Sequence, residues 1–334
     1  NPRDENYSYH YQGTNAQQMT SAYESVLGMN ETFGWDKKGN LNYQTYANYG
    51  ERRLCWTEDN RLQGFSDQSN GAYYGYDASG ERAYKLTGPT VHINQNGLDL
   101  YSPIFQTTTI YASPLITLRD GEYTKHYFEE SKRICSAIGN GGLIDIDGSV
   151  DVIDKSHEDL KYEHEQGLEE TFQQCIGVGI INNLTDLYYN TLDLYRNPQV
   201  NPDEPNYYFT SDHLGSSSYI TNDLGQVTQT MAYMPYGEDW VNLNFSQNFQ
   251  SQYKYNGKEK DEESGYYNYG ARYYAGNLPI WISVDPLSDK YPHLTGYNYC
   301  ANNPIMLIDP DGRDVGYATD EDKAYIQNQV KTNK

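Results

Sequence analysis

The chain is short of the residues that usually build a compact core. Hydrophobic residues make up 37% of its 334 positions, and phenylalanine supplies only 8. No run approaches the ~20 apolar residues of a membrane-spanning helix, so no membrane span is expected. Positive charge is also scarce: 24 Lys and Arg stand against 46 Asp and Glu, a formal net charge of −22. Such a surface repels a phosphate backbone, which excludes nucleic-acid binding as an expected role. It would suit a basic partner, although acidity more commonly serves solubility. The four cysteines, Cys55, Cys135, Cys175 and Cys300, are widely scattered. None has zinc-site spacing, so they are expected to be buried free thiols, and neither metal nor cofactor is expected. No signal peptide is visible. The chain starts mid-pattern at Asn1 without Met and reads as a piece of something longer, so missing targeting signals say little about compartment.

What the chain has instead is tyrosine, 36 residues of it, with 29 glycines. Tyr buries a large ring, keeps a polar tip that needs a partner, and favours strands. The composition therefore points to extensive sheet with half-wet faces. "WDKKGNL" (Trp35–Leu41), "WTEDNRL" (Trp56–Leu62) and "YDASGER" (Tyr76–Arg82) align, with aromatics at 35, 56 and 76. Each aromatic is followed by a short polar residue and, three residues after that, by Gly39, Asn60 or Gly80, which tolerate a left-handed backbone. Alternating runs flank each turn, which predicts one hairpin per repeat. A degenerate copy precedes them around Tyr11. A single hairpin cannot bury its own face, whereas stacked copies can.

Residues 98 to 144 read as further strands, including "TTTIYASP" and "YTKHYF". From Ser156 to Arg196 the character changes. Leu184, Leu187, Tyr188, Thr191, Leu192 and Tyr195 form a helical stripe. Two helices are expected, separated or bent at Gly177–Ile180 and ended by the prolines of "NPQVNPDEPN". "DIDGSVDVID" (Asp145–Asp154) has its glycine at the wrong position for a calcium loop and reads as an acidic turn.

From Asn206 the strand pattern returns, with a hairpin turn at Asn222–Gly225. "DHLGS", "YGE", "GKEKDEESGYYNYGARYY", "SVDP", "NNP" and "DPDG" then follow in order between about Tyr207 and Gly312. The repeats resemble the YD repeats of the bacterial rearrangement-hotspot (Rhs) proteins, shared by insecticidal toxin-complex subunits and animal teneurins. The ordered motifs resemble the Rhs repeat-associated core domain. Together they cover most of the chain apart from the helical insertion and the tail.

The resemblance implies a mainly β fold, in which YD-repeat hairpins spiral into a shell closed by the core domain, with an α-helical insertion. It implies four parts: a shell segment (1–145), the insertion (146–205), the core domain (206–313) and the start of a variable C-terminal region (314–334). It also implies an intramolecular aspartic protease that cuts after the last DPxG and frees an enclosed C-terminal toxin. The partners implied are that toxin segment, a secretion-system component and an immunity protein, in a secreted or cell-surface bacterial protein. Asp285 in "SVDPL" and Asp309 in "LIDPDG" match the family's catalytic pair, and Arg272 in "GARYY" matches its arginine.

Aspartic proteolysis needs two carboxylates sharing a proton, one to activate water and one to protonate the carbonyl or leaving group. The arginine could orient a carboxylate or stabilise the oxyanion. Gly312 allows the tight path to the site, and the bond cut is Gly312–Arg313 or Arg313–Asp314. Taken singly, an Asp-Pro is usually a turn and an Arg among tyrosines is usually stacked or paired. Three positions depart from the family pattern: "DPLS" lacks the usual Gly, Ala275 stands where an Asp is usual, and Arg313 stands where cleaving members carry an apolar residue such as Leu. The alternatives are a non-catalytic adhesion shell whose tyrosine faces bind carbohydrate or protein, and a degenerate core that folds without cutting.

Overall fold

Tyrosine-rich alternation becomes antiparallel strand through about half of the described residues. The computed structural model describes residues 7–11, 17–24, 29–46, 50–140, 169–170, 172–177 and 204–324. The chain divides into two units, one made of Asn42–His126 with Ser136–Asn206, the other of Asn1–Leu41 with Tyr127–Cys135 and Tyr207–Lys334. The architecture is mainly β, as the sequence implies.

In the first of these units, strands Leu41–Tyr46, Gly50–Trp56, Leu62–Ser66, Asn70–Tyr76 and Arg82–Gln95 pair with their successors in antiparallel order. The first half of Arg82–Gln95 also pairs with Thr107–Ser113, while its second half pairs with Leu98–Pro103. Beneath the strands lies a core of Cys55, Tyr73, Leu86, Leu100, Phe105, Phe172 and Ile176. Phe172 and Ile176 come from the insertion, where Glu169, Glu170 and Phe172–Cys175 are helical. Gly177, at φ +89°, ends that helix in the left-handed conformation common at helix C-termini. The expected second helix and the Asp145–Asp154 turn lie outside the described residues.

The expectation of four free thiols fails here. Cys55 and Cys175 form a disulfide, with Cα atoms 5.7 Å apart and 120 residues between them in sequence. No local spacing announces such a pair, because it is the packing of the helix on strand Gly50–Trp56 that brings the sulfurs together. Cys135 and Cys300 remain free.

The repeat turns share one construction. In Asp36–Asn40, Thr57–Arg61, Asp77–Glu81, Asp212–Ser216 and Asn222–Gln226, the first residue's N–H donates to the fifth residue's carbonyl. The fourth residue's N–H donates back to the first residue's carbonyl. That fourth residue is Gly39, Asn60, Gly80, Gly215 or Gly225, each at positive φ. The short polar residue's role is now visible. Asp36, Asp77, Asp212 and Asn222 each use Oδ1 to accept the amides of the third and fifth residues. Thr57 uses Oγ1 to accept the fifth alone. The side chain thereby satisfies amides that the turn would leave unpaired.

The second unit holds two sets of longer strands. Tyr7–His10, Ser21–Glu24 and Met29–Trp35 are antiparallel neighbours. So are Asn206–Ser211, Ser217–Asn222, Val227–Tyr233 and Asp239–Asn244. After them the strands shorten. Glu259–Lys260, Tyr267–Asn268, Tyr273–Ala275 and Ile280–Trp281 form a four-stranded sheet, and Leu307–Ile308 pairs with Gly316–Tyr317.

Such short strands bury little by themselves, and an aromatic cluster takes over. Tyr255, Tyr267, Tyr269, Tyr274, Trp281 and Tyr299 pack with Leu214 and Cys300. Tyr rather than Phe serves here because the hydroxyls satisfy loop carbonyls and amides. Tyr255 donates to Pro235 O at 2.8 Å, Tyr267 to Gly237 O at 2.9 Å and Tyr274 to Tyr236 O at 2.8 Å. Tyr269 and Tyr299 both donate to Asn256 Oδ1, at 2.7 and 2.6 Å.

Candidate active site

Arg272 is the centre of the site. It follows the tight Asn268–Gly270 turn, where Asn268 Oδ1 accepts the Gly270 amide at 2.8 Å, and it leads into strand Tyr273–Ala275. Its guanidinium lies over the Trp281 ring, 4.0 Å from the ring centre. Stacking on an indole face supports a cation that is only 2% exposed. The guanidinium is then divided among four acceptors. Nη2 lies 3.1 Å from Asp285 Oδ2 and 3.1 Å from Asp309 Oδ2. Nε donates to the Gly312 carbonyl at 2.6 Å, and Nη1 reaches the Gly296 carbonyl at 3.5 Å.

All three residues singled out as catalytic in the sequence therefore meet. The two carboxylates share a donor: one guanidinium nitrogen joins their Oδ2 atoms, which lie no further apart than twice that contact.

The carboxylates differ in surroundings. Asp309 is 1% exposed. Its Oδ1 accepts the amides of Gly312 at 2.7 Å, Arg313 at 3.0 Å and Asp311 at 3.3 Å. Burial nevertheless pushes its carboxyl above the ordinary range, against the opposing pull of Arg272 and those amides. Asp285 is more open, with 15% of its side chain exposed. Its Oδ1 accepts the Leu287 amide at 2.7 Å, and its own amide donates to Gly296 O at 2.9 Å. Burial lowers Arg272, while both aspartates raise it. The nearby thiol of Cys300 is pushed up to about 12 by burial. It is therefore no thiolate nucleophile.

The predicted cleavage segment lies on this cluster. Gly312 is buried at φ +76°, and a Cβ there would stand 2.9 Å from the Arg272 amide nitrogen. Arg313 is exposed, so its charge needs no apolar pocket. Asp314 accepts from Lys290 Nζ at 2.7 Å and from the Tyr291 hydroxyl at 3.0 Å, which hold its carboxyl below the ordinary range.

Lys258, Gly296 and Lys290 also contact the site, and no sequence signal marks that role. Lys258 Nζ donates to the Pro310 carbonyl and lies over the Tyr269 ring. It stands in the quoted "GKEKDEESG", yet nothing in that string tells a carbonyl-binding lysine from a solvated one. The first repeat turn also backs the site: a Cβ on Gly39 would stand 2.5 Å from Val284, the neighbour of Asp285. Among the described residues no group of three or more His, Cys, Asp or Glu could hold a metal. No described helix is long and apolar enough to cross a membrane.

No family model matches the chain. Over 106 residues, 31% of this chain and 11% of the relative, it is 39% identical to "Toxin subunit YenC1" of Yersinia entomophaga. Over 102 residues, 30% of this chain and 3% of the relative, it is 33% identical to "Salivary gland surface protein 1" of Aedes aegypti. It is 30% identical over 109 residues to "tRNA nuclease WapA" of Bacillus subtilis strain 168, covering 32% of this chain and 5% of that protein. The chain thus spans only about a tenth or less of the curated relatives it matches. A crystal structure of TcdB2-TccC3 aligns with 92% of this chain and 16% of its own, at 16% identity and a TM-score of 0.46.

Proposed function

We propose that the chain is the closing part of an Rhs-type toxin shell and that its core domain cuts its own backbone beside Gly312. One observation supports this reading above the rest. A single buried arginine touches two carboxylates and the carbonyl of the candidate scissile peptide. The similarity to a toxin subunit of Yersinia entomophaga points the same way.

The chemistry follows from the contacts. Asp285, the more solvent-reachable carboxylate, takes a proton from water, whose oxygen attacks the Gly312 carbonyl carbon. Charge developing on the Gly312 oxygen is stabilised by Arg272 Nε, which already lies 2.6 Å away. Asp309, raised by burial, supplies the proton that the leaving Arg313 nitrogen takes up as the C–N bond breaks. Before the cut the Arg313 N–H donates to Asp309 Oδ1 at 3.0 Å, which keeps the carboxyl beside that nitrogen, and the proton moves the other way only once the nitrogen has lost its amide character. The products are a Gly312 carboxylate and an Arg313 amine. The contacts favour Gly312–Arg313 over Arg313–Asp314, because the carbonyl held is that of Gly312.

The enclosed cargo is the chain that follows, and the encounter with its target is extracellular or at a cell surface. The Cys55–Cys175 disulfide supports an oxidising compartment. The test is expression with a C-terminal extension, followed by a denaturing gel and intact mass of both fragments. Two bands are expected, with the smaller starting at Arg313. A single wild-type band would remove the enzymatic half of the proposal and leave the shell.

A further inference from the structure

The candidate cut lies in the loop of a hairpin. Upstream of it is strand Leu307–Ile308, and downstream is Gly316–Tyr317, paired antiparallel with Leu307 opposite Tyr317 and Ile308 opposite Gly316. One residue further on, the Ala318 amide donates to the Met306 carbonyl at 2.9 Å. Ala318 also packs against the aromatic cluster of Tyr269, Trp281 and Tyr299. At the other end of the segment, Asp314 is paired with Lys290 and hydrogen-bonded by Tyr291. Strand pairing, an apolar anchor and an ion pair thus seat five consecutive residues, all downstream of either candidate bond, on the part of the chain upstream of it.

We propose that Asp314–Ala318 is a docking strand that keeps the severed C-terminal segment seated on Lys290–Tyr291 and Met306–Ile308 after the backbone is cut. The proposal rests on the self-cleavage reading and deepens it: the cargo proper starts after Ala318, and every severed cargo carries this strand at its N-terminus. Cutting a hairpin loop removes the covalent tether but none of these contacts. What it removes is the entropic advantage of a closed loop, so retention then depends on the contacts themselves. Thr319 Oγ1 accepts the Asp322 amide at 3.1 Å and caps the helical residues that follow, so the docked strand leads into a separate element.

The experiment uses the full chain with a C-terminal affinity tag, self-cut and captured on the tag under native conditions. The upstream fragment is quantified after a timed wash for wild type, Lys290→Glu, Asp314→Lys and the double charge reversal. The wild-type fragments are expected to co-elute. Each single reversal should speed their separation about two- to fivefold or more, the scale of one solvent-exposed ion pair. The double reversal should restore retention. Equal retention of all four forms would overturn the docking strand in favour of simple enclosure, and so would immediate separation of the wild-type fragments. If the wild type is not cut, the self-cleavage reading alone has failed. Hydrogen exchange at the Ala318 amide in the intact chain then decides the docking: protection that Asp314→Lys abolishes supports it, and a freely exchanging wild-type amide overturns it.

Discussion

The turn at Asp77 and the turn at Asp309 share one side-chain capping scheme. Both run Asp-x-x-Gly, and both put the glycine at positive φ, Gly80 at +85° and Gly312 at +76°. In both, the aspartate Oδ1 accepts the amides two and four residues on. The two turns close differently, since the Gly80 amide donates to the Asp77 carbonyl and the Gly312 amide to Asp309 Oδ1, and the two carboxyls move in opposite directions. Asp77 lies in solvent and falls below its ordinary range, chiefly through the Ser79 hydroxyl. Asp309 is buried against Arg272 and rises above it, chiefly through burial. The candidate active-site turn thus carries the side-chain capping of a repeat turn into a protein interior. A capping carboxylate becomes a proton donor when desolvation outweighs the hydrogen bonds that would keep it ionised.

Substituting the two aspartates tests that contrast most directly. Asp309→Asn keeps an acceptor for the amides but removes the acid, and self-cutting should fall by about 10²-fold or more. Asp77→Asn keeps its turn and should leave cutting unchanged, with at most a small loss of thermal stability. Time courses of band appearance on a denaturing gel check both. Arg272→Ala belongs to the same contrast, because Asp77 has no buried cation to lose. It would strand Asp285 and Asp309 without their shared partner, and a loss of about 3–5 kcal/mol in unfolding free energy is expected by denaturant titration. Asp285→Asn and Asp309→Asn in that background should recover part of it.

The opposite shifts also give opposite pH dependences. For Asp309 the folded pKa is raised, so its stabilising contribution is present below the unfolded value and is lost as pH rises through the folded one. For Asp77 the folded pKa is depressed, so its contribution is present above the unfolded value and is lost as pH falls through the folded one. If Asp309 is the acid, the cutting rate should decline as pH rises above the ordinary carboxylate range, while acid should loosen the repeat turns first. Cutting rates across a pH series, beside melting curves of Asp309→Asn and Asp77→Ala, separate the two limbs. A rate that rises steadily with pH would make Asp309 the base.

The repeat turns were legible in the sequence because each is a local device: aromatic, short polar residue, then Gly or Asn at a fixed offset. The three residues of the candidate site were singled out through ordered motifs, and the structure brings them together. What the motifs left open was the role of each group, since the burial of Asp309 and the stacking of Arg272 on Trp281 arise from tertiary packing. The Cys55–Cys175 pair was missed for a related reason, since a contact across 120 residues leaves no spacing to read. The sequence marks Asp314 only as flanking a candidate scissile bond and carries no signal for Lys290, because only the hairpin closed by Gly316–Tyr317 makes them neighbours.

The finest test of the contrast compares two glycines that take nearly the same left-handed conformation. Gly215 sits at φ +80° with nothing within 4 Å of where a Cβ would stand. Gly215→Ala should therefore cost only the left-handed conformation, about 1–2 kcal/mol. Gly312 has nearly the same φ, but its Cβ would meet the Arg272 amide nitrogen at 2.9 Å and Tyr269 Cβ at 3.3 Å. The first of these is backbone and cannot swing aside, so relief must come from the Asp309–Arg313 turn moving off Arg272. Gly312→Ala should then lose stability beyond the Gly215→Ala value and slow cutting out of proportion to that loss, because the Gly312 carbonyl leaves Arg272 Nε. Melting temperature and cutting rate measured on both variants separate conformational cost from site geometry. Equal effects on both measures would mean that the Asp309 turn tolerates displacement as freely as a repeat turn does, and that the contact between Gly312 and Arg272 does not set the rate.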